Sequence, residues 1–380
     1  MKIIAAPDSY KGCMTAPEAA AAMLRGALQA FPGARTAAVP MADGGEGTMQ
    51  CLVESTGGAY RTATVQDPLG REREAAFGLL GDGRTCVVEL AESSGLPLLA
   101  ADERDPLRAS SYGFGQLIRA GLDAGAREFL LCLGGSATND GGAGMLQALG
   151  FELLDEDGRP IPPGGGGLAK LRRIETGRAD PRLAACTWTV ACDVDNPLVG
   201  PNGASAVFGP QKGADPDCVA LLDANLSAFA DVLEAAVGRP IRDLPGAGAA
   251  GGTAAALVAL LGARLEPGIE LCLQASGLAR ELADADLVLT GEGRVDSQTL
   301  RGKTPCGVAR LAARHGVPTI VFGGSVGPGA EGLSAFGVIR IVSLADERVT
   351  VEEAIRRGAE LLERKTAQTL REPEIASRFR

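Results

Sequence analysis

Six short segments of this 380-residue chain draw, in varying combination, on glycines, carboxylates and a cation or hydroxyl. They are Asp8-Ser9-Tyr10-Lys11-Gly12; Asp43-Gly44-Gly45-Glu46-Gly47-Thr48; Gly134 to Gly144; Cys192-Asp193-Val194-Asp195-Asn196-Pro197-Leu198; Phe208-Gly209-Pro210-Gln211-Lys212-Gly213; and Thr290 to Thr299 with Gly302-Lys303. Carboxylates repel phosphate, yet they hold Mg2+ and take protons from hydroxyls. Backbone N–H groups and lysines suit phosphate oxygens. Both sets together describe phosphoryl transfer, in which a polyphosphate is cradled, neutralised by metal and placed in line with an alcohol. For each single acid the plain alternative is a helix N-cap or an Asx turn. That alternative is strong for Asp43 and Asp140, which precede helices, and weaker for Asp193 and Asp296.

The stretch Arg127 to Gly150 carries the most information. Phe129 to Leu133 reads as a buried strand, Gly134 to Gly144 as a glycine-rich loop, and Met145, Leu146 and Leu149 as the apolar side of a helix. A strand, loop and helix start leave unpaired N–H groups at the positive end of a helix dipole, which suits an anion. Ser136, Thr138, Asn139 and Asp140 add polar side chains at the same place.

Several familiar patterns do not survive inspection. GAGAAG at Gly246–Gly251 fits a dinucleotide fingerprint, but Asp243-Leu244-Pro245 precedes it instead of an apolar strand. GGSVG at Gly323–Gly327 fits a nucleophile elbow, but the chain's one histidine, His315, lies before Ser325 rather than after it. His315 follows Arg314 at an expected helix C-terminus, where a cation suits the dipole. Gly302-Lys303-Thr304 imitates the end of a P-loop, but Ser297 stands where its first glycine belongs.

The elements that must position these loops are legible in part. Lys2–Ala6 reads as a strand, and Thr15 with Glu18 as a capping box opening a helix whose core face is Met23, Leu24, Ala27, Leu28 and Phe31. A second strand spans Arg35–Met41, and a second helix follows MADGGEGT. Three more strands, Asp286–Thr290, Pro318–Phe322 and Val338–Val342, come near the C-terminus, with helices around Thr304–Arg314 and Val351–Lys365. Five parallel strands in two separated blocks predict an α/β chain of two domains. Residues 1–59 with 285–380 form a discontinuous flavodoxin-like, doubly wound parallel-sheet domain, and residues 60–284 an inserted α/β domain with a hairpin at Glu74–Leu80 and Cys86–Leu90. In a 2-1-3-4-5 strand order the crevice lies where strands 1 and 3 diverge, so Pro7 to Gly12 and Thr290 to Asp296 are expected to face one another there. Gly246 to Ala263 reads as a loop and a buried helix.

Hydrophobic residues at 46% and charged residues at 22% are those of a soluble globular enzyme, and 380 residues exceed one ordinary core. A net charge of −10 argues against nucleic-acid and membrane-surface partners. The nine cysteines form no CxxC pair, which with a single histidine argues against a zinc site and for a reducing cytoplasm. MKIIAAPDSYKG turns polar too soon for a signal peptide.

Taken in order, APDSYKG, VPMADGGEGT, DPLG, GGSATNDGGAG, CDVDNPL, VFGPQKGA, PGAGAAGG and TGEGRVDSQTLRGK resemble the bacterial glycerate kinase family, the type that usually makes 2-phosphoglycerate. The resemblance covers nearly the whole chain. It implies ATP-dependent phosphorylation of D-glycerate with a divalent metal such as Mg2+, and a fold of one flavodoxin-like and one unusual α/β domain. The departures are Tyr10 for Phe, Cys13-Met14 for Ser-Leu, and Phe114 and Gln116 for polar or acidic residues in SYGxGxL; the last two bear on a pocket wall and so on substrate preference.

On this reading glycerate and the triphosphate meet in a cleft between the domains. Asp193 is the expected base for the glycerate hydroxyl. Lys11, backed by Ser9, takes a carboxylate or phosphate. Gly134, Gly135, Ser136 and Asn139, with Lys212, bind phosphate oxygens or the substrate carboxylate. Gly291, Glu292, Gly293 and Arg294 meet the nucleotide. Asp8, Asp43, Glu46 and Asp296, together with Glu292, are candidates for the metal shell. The partners are then the small molecules glycerate and ATP, with homo-oligomer formation left open. The alternatives are a 3-phosphoglycerate product, a related small hydroxy acid, a non-catalytic hydroxy-acid binding protein, and a dehydrogenase using Gly246–Gly251.

Overall fold

A computed structural model describes residues 1–45 and 47–379. In chain order the strands are β1 (Lys2–Ala5), β2 (Arg35–Ala38), β3 (Ala59–Gln66), β4 (Glu72–Leu79), β5 (Thr85–Glu89), β6 (Glu128–Cys132), β7 (Glu152–Leu154), β8 (Arg173–Glu175), β9 (Thr187–Ala191), β10 (Arg264–Glu266), β11 (Leu287–Val295), β12 (Thr319–Val326) and β13 (Val338–Ser343). The chain groups into two compact units. Unit 1 is Met1–Asp43, Gln50–Ser55 and Ile269–Arg380; unit 2 is Gly44–Met49 and Thr56–Gly268.

Unit 1 is built on a sheet in the order β13-β12-β11-β1-β2, every pair parallel. Counted along unit 1 alone, this is the expected 2-1-3-4-5. The continuous apolar run of β1 fits a strand buried on both faces, and Ile3 stands opposite both Thr36 and Leu287. Helix Ala16–Ala30 opens as expected: Thr15 accepts from the Glu18 N–H, and the Glu18 carboxylate accepts from the Thr15 N–H at 2.8 Å. Strands β11 and β12 run further than their apolar cores suggest, to Val295 and Val326. β11 continues through Val295 because Gly291 and Glu292 keep pairing with Phe322 and Gly323 of β12, so TGEGRV is a strand rather than a loop. The single helix expected over Val351–Lys365 is two, Val351–Arg356 and Gly358–Arg371. His315 caps the C-terminus of helix Thr304–Arg314.

Unit 2 carries a mixed sheet in the order β10-β9-β6-β5-β4-β3 and a small antiparallel pair, β7-β8. The expected hairpin exists as β4 and β5, paired at Gly78–Val87 and Leu79–Cys86. The longer partner of β4 is β3, matched from Ala59 opposite Leu79 to Gln66 opposite Glu72. Sequence reading missed β3 because its face is polar and mostly exposed, with Arg61, Thr62 and Thr64 in place of an apolar run. Helix Pro216–Val237 is capped by the Asp215 carboxylate, which accepts from Cys218 N–H, and ended by Gly238 at φ 70°. Its Leu226, Phe229 and Leu233 enter the core with Phe114, Leu117, Met145 and Leu146. Gly246–Ala263 is a loop followed by helix Thr253–Leu261. All nine cysteines are free thiols. Among the described residues no helix is long and apolar enough to cross a membrane.

Candidate active site

In unit 1 the chain leaves the end of β1 and crosses towards β11, where Asp8 N–H donates to the Gly291 carbonyl at 2.8 Å. Tyr10 is buried, and its hydroxyl donates to the Phe322 carbonyl of β12 at 2.7 Å, which seats the segment on the sheet. Gly291 is required beneath it: a Cβ there would run into the Phe322 carbonyl and the Tyr10 hydroxyl. Above lies a cavity of about 370 Å³ lined by Asp8, Ser9, Lys11, Asp43, Glu292, Gly293, Arg294 and Lys303, among others. Two motifs far apart in sequence thus meet at the carboxyl edge of the sheet, beside the β1–β11 switch point.

The carboxylates there are held and strained electrostatically. Asp8 is 7% exposed; its Oδ1 accepts from Ser9 N–H at 2.6 Å and its Oδ2 from the Thr304 hydroxyl at 2.6 Å. Burial, then repulsion from Asp43 and more weakly Glu292, raise the Asp8 pKa, while the Thr304 and Ser9 bonds pull it down. Glu292 Oε1 accepts from the Thr299 hydroxyl at 2.6 Å, and Lys303 Nζ stands 3.6 Å from its Oε2. Burial raises the Glu292 pKa too, with Thr299 and Lys303 opposing and Asp43 adding to the shift. Asp296 is placed differently. It pairs with Arg294 Nε at 2.9 Å and accepts from Gln298 N–H at 2.8 Å, bonds that lower its pKa, and it closes a turn beside the cavity without lining it. Glu46 lies outside the described residues.

Among the described residues no three His, Cys, Asp or Glu side chains converge as a metal cage. Mg2+ does not ask for one: it usually takes one or two carboxylates, waters and substrate phosphates. Asp8, Asp43 and Glu292 fit that use as hard oxygen donors whose mutual repulsion a cation would relieve.

In unit 2 the glycine-rich loop follows β6, but its helix start is not open to an anion. Asp140, fully buried, takes those donors itself: Oδ1 accepts from Gly142 N–H at 3.1 Å, and Oδ2 from Gly144 N–H at 3.2 Å and from the Ser111 N–H and hydroxyl at 2.8 Å each. Its pKa is raised by burial against these bonds. The helix, Ala143–Ala148, is only six residues long. Asp140 therefore forms the Asx turn of the plain alternative, two residues before the N-cap Gly142, and any anion must use donors nearer Gly134, Gly135 and Ser136. Asn139 is buried; its Nδ2 donates to the Ser205 hydroxyl at 3.0 Å, and its Oδ1 has no partner among the described residues. Lys212 is 2% exposed, and its Nζ donates to the Thr138 carbonyl at 2.6 Å. Burial brings its pKa down to about 7 against the opposing pull of Asp140. It braces the loop from inside, not as a surface cation reaching for phosphate.

Asp193 follows β9 and is exposed; its Oδ1 accepts from Gly268 N–H at 2.9 Å, and Gly44 packs nearby. Gly134 lies against the Gly45 backbone. GAGAAG, dismissed as a dinucleotide fingerprint, serves as a prop between two other motifs. Gly248 N–H donates to the Asn196 carbonyl at 3.0 Å, and the Gly251 carbonyl accepts from Gly141 N–H at 2.9 Å. Gly251 sits at φ 63°, and a Cβ on it would strike the Thr138–Asn139 backbone. Sequence reading also missed Ser325, Leu344, Val351 and Ile355, which line the unit 1 cavity. GGSVG pointed at Ser325 for the wrong reason; the other three carry no local signal.

Comparison with known proteins agrees with the motif pattern. Residues 3–373 match the Glycerate kinase family. The chain is 50% identical over 364 residues to the glycerate kinase of Bacillus subtilis (strain 168), covering 96% of this chain and 95% of that one. It is 48% identical over 356 residues to the glycerate 2-kinase of Escherichia coli (strain K12), covering 94% and 93%. A crystal structure from Salmonella typhimurium LT2, of a protein assigned as glycerate kinase 2, is similar with a TM-score of 0.86 and 45% identity over 97% of each chain. The chain therefore belongs to the glycerate kinase family and is an enzyme of that class, a phosphotransferase with an alcohol group as acceptor.

Proposed function

We propose that the chain transfers the terminal phosphoryl group of ATP to the 2-hydroxyl of D-glycerate, giving 2-phosphoglycerate and ADP. The observation that carries this is the unit 1 cavity, where Lys11, Arg294 and Lys303 offer positive charge to a polyphosphate beside the hard donors Asp8, Asp43 and Glu292. The relatives' names point to the acceptor, and the Escherichia coli relative is named a glycerate 2-kinase.

The roles follow from the chemistry of each group. Lys11 and Lys303 draw the β- and γ-phosphates, and Arg294 adds a planar fork of donors. Asp8 and Asp43, with Glu292, would hold Mg2+, which supplies neutralisation of the polyphosphate charge when bound. Asp193 orients the glycerate hydroxyl and takes its proton as the oxygen forms its bond to phosphorus; the bond from that phosphorus to the β–γ bridging oxygen breaks, and ADP leaves. Gly134, Gly135 and Ser136 offer small, close-approach positions for the substrate carboxylate. Reduced thiols in nine free cysteines fit a cytoplasmic setting.

A coupled assay of ADP formation with D-glycerate, followed by phosphorus NMR of the product, tests the reading. Glycerate-dependent ADP release and a 2-phosphate resonance are expected. No ADP release removes the donor assignment, and a 3-phosphate resonance removes the acceptor position.

A further inference from the structure

Glycerate cannot fill the unit 1 cavity. Each of its three carbons bears oxygen, so it has almost no apolar surface, yet one half of the cavity is apolar. That half is made by Cys13, Leu344, Val351, Ala354 and Ile355. Leu344 and Ala354 form a buried floor, while Val351 and Ile355, one turn apart on helix Val351–Arg356, are left 50% and 45% exposed. The charged half, with Lys11, Asp8, Glu292 and Lys303, belongs to the same cavity. The two halves follow the sheet. The charged half lies over the ends of β1 and β11, at the switch point; the apolar half lies past the end of β13, where Leu344 immediately follows Ser343.

We propose that Val351 and Ile355, over the Leu344–Ala354 floor, form the wall on which the nucleoside of the phosphoryl donor rests, with its phosphates running back along the sheet edge to Lys11 and Lys303. This deepens the reading of ATP as donor and rests on it. A ligand with an apolar ring at one end and a polyanion at the other is what a cavity of this polarity accommodates, and the continuity of the two halves commits the apolar one to the same molecule. Burying two aliphatic side chains under a base provides affinity without fixed hydrogen bonds. The wall is therefore expected to favour a nucleoside over bare polyphosphate while discriminating weakly among bases.

The test compares Mg2+-ADP with Mg2+-tripolyphosphate, which lacks a base. In the full chain, Val351→Ser combined with Ile355→Ser removes the wall without adding charge near the phosphates. Titration calorimetry should show ADP binding weakened roughly tenfold, with KM for ATP rising similarly. Tripolyphosphate affinity and KM for D-glycerate should stay within about twofold. The swap Val351→Ile with Ile355→Val keeps the apolar surface and should retain affinity, which separates loss of the wall from a damaged helix. Wild-type affinity for ADP in the serine variant, or equal loss of ADP and tripolyphosphate in it, overturns the assignment. If the wild-type enzyme neither binds ADP nor consumes ATP, the donor reading fails first and takes the wall with it.

Discussion

At Asp8 the molecule tolerates a carboxylate where solvation and neighbours both disfavour its charge. A group whose folded pKa is raised lends stability below its unfolded pKa, near 4, and loses it as pH climbs through the folded value. Asp8→Asn carries no charge to repel Asp43 and Glu292. Without divalent metal, its melting temperature relative to wild type should therefore rise between about pH 4 and pH 8. A difference that is flat or falls with pH would show that the three acids do not repel as placed. Asp193 is exposed and makes a bond to Gly268 N–H that Asn can keep. Asp193→Asn should thus lower kcat by roughly 100- to 10,000-fold, the usual range for a lost general base, with an unchanged melting curve. An unaltered kcat would hand the proton to another group, with Asp8 next in line. At this scale the polar residues were legible because glycine-acid clusters announce themselves locally. The exception is instructive: Lys212 looks like a ligand group in sequence, and burial turns it into an internal brace.

Elements place those residues, and two of them invite a direct check. Thr15→Ala removes the capping box of helix Ala16–Ala30 and should cost about 1 kcal/mol, read as a lower urea midpoint of the unit 1 transition at constant m. Ala250, in the prop loop, is the one non-glycine residue described at positive φ, 51°. Ala250→Gly relieves a left-handed backbone strain and should stabilise by roughly 1 kcal/mol, less whatever the freer unfolded chain takes back. Destabilisation by that change would mean the Ala250 methyl packs better than its backbone suffers. Periodicity located helices such as Ala16–Ala30 and Thr304–Arg314 and the apolar centres of the unit 1 strands, but no expectation covered helices Tyr112–Asp123 and Pro216–Val237. It could not see β11 continue through Gly291 and Glu292, because that extension comes from pairing with β12 rather than from any apolar run. Nor could it see the apolar wall: Leu344, Val351 and Ile355 are ordinary residues, made significant only by the sheet order that sets the end of β13 over the same cavity as Asp8.

For the molecule as a whole, two compact units with separate cores predict unfolding that is not two-state. Calorimetry should resolve two transitions, with Thr15→Ala lowering one and Ala250→Gly raising the other; a single transition moved by both would make the units one cooperative body. The strand order of unit 1 was legible because its two sequence blocks each carry parallel-strand patterns and a 2-1-3-4-5 winding is the economical way to join them. Where the chain passes from one unit to the other was not legible, since the MADGGEGT turn divides between them inside a single motif. The same order has a consequence for how the protein is made. Lys2 and Asp286, beside the β1–β11 ladder, are hydrogen-bonded across 284 positions. At about 5–20 residues per second, a ribosome needs on the order of 15 to 60 seconds to deliver that neighbour. Throughout the interval the nascent β1, whose Ile3, Ile4 and Ala5 are buried in the finished sheet, keeps one edge of unpaired backbone groups bare, so a newborn chain depends on chaperone cover to stay out of aggregates until its last quarter emerges.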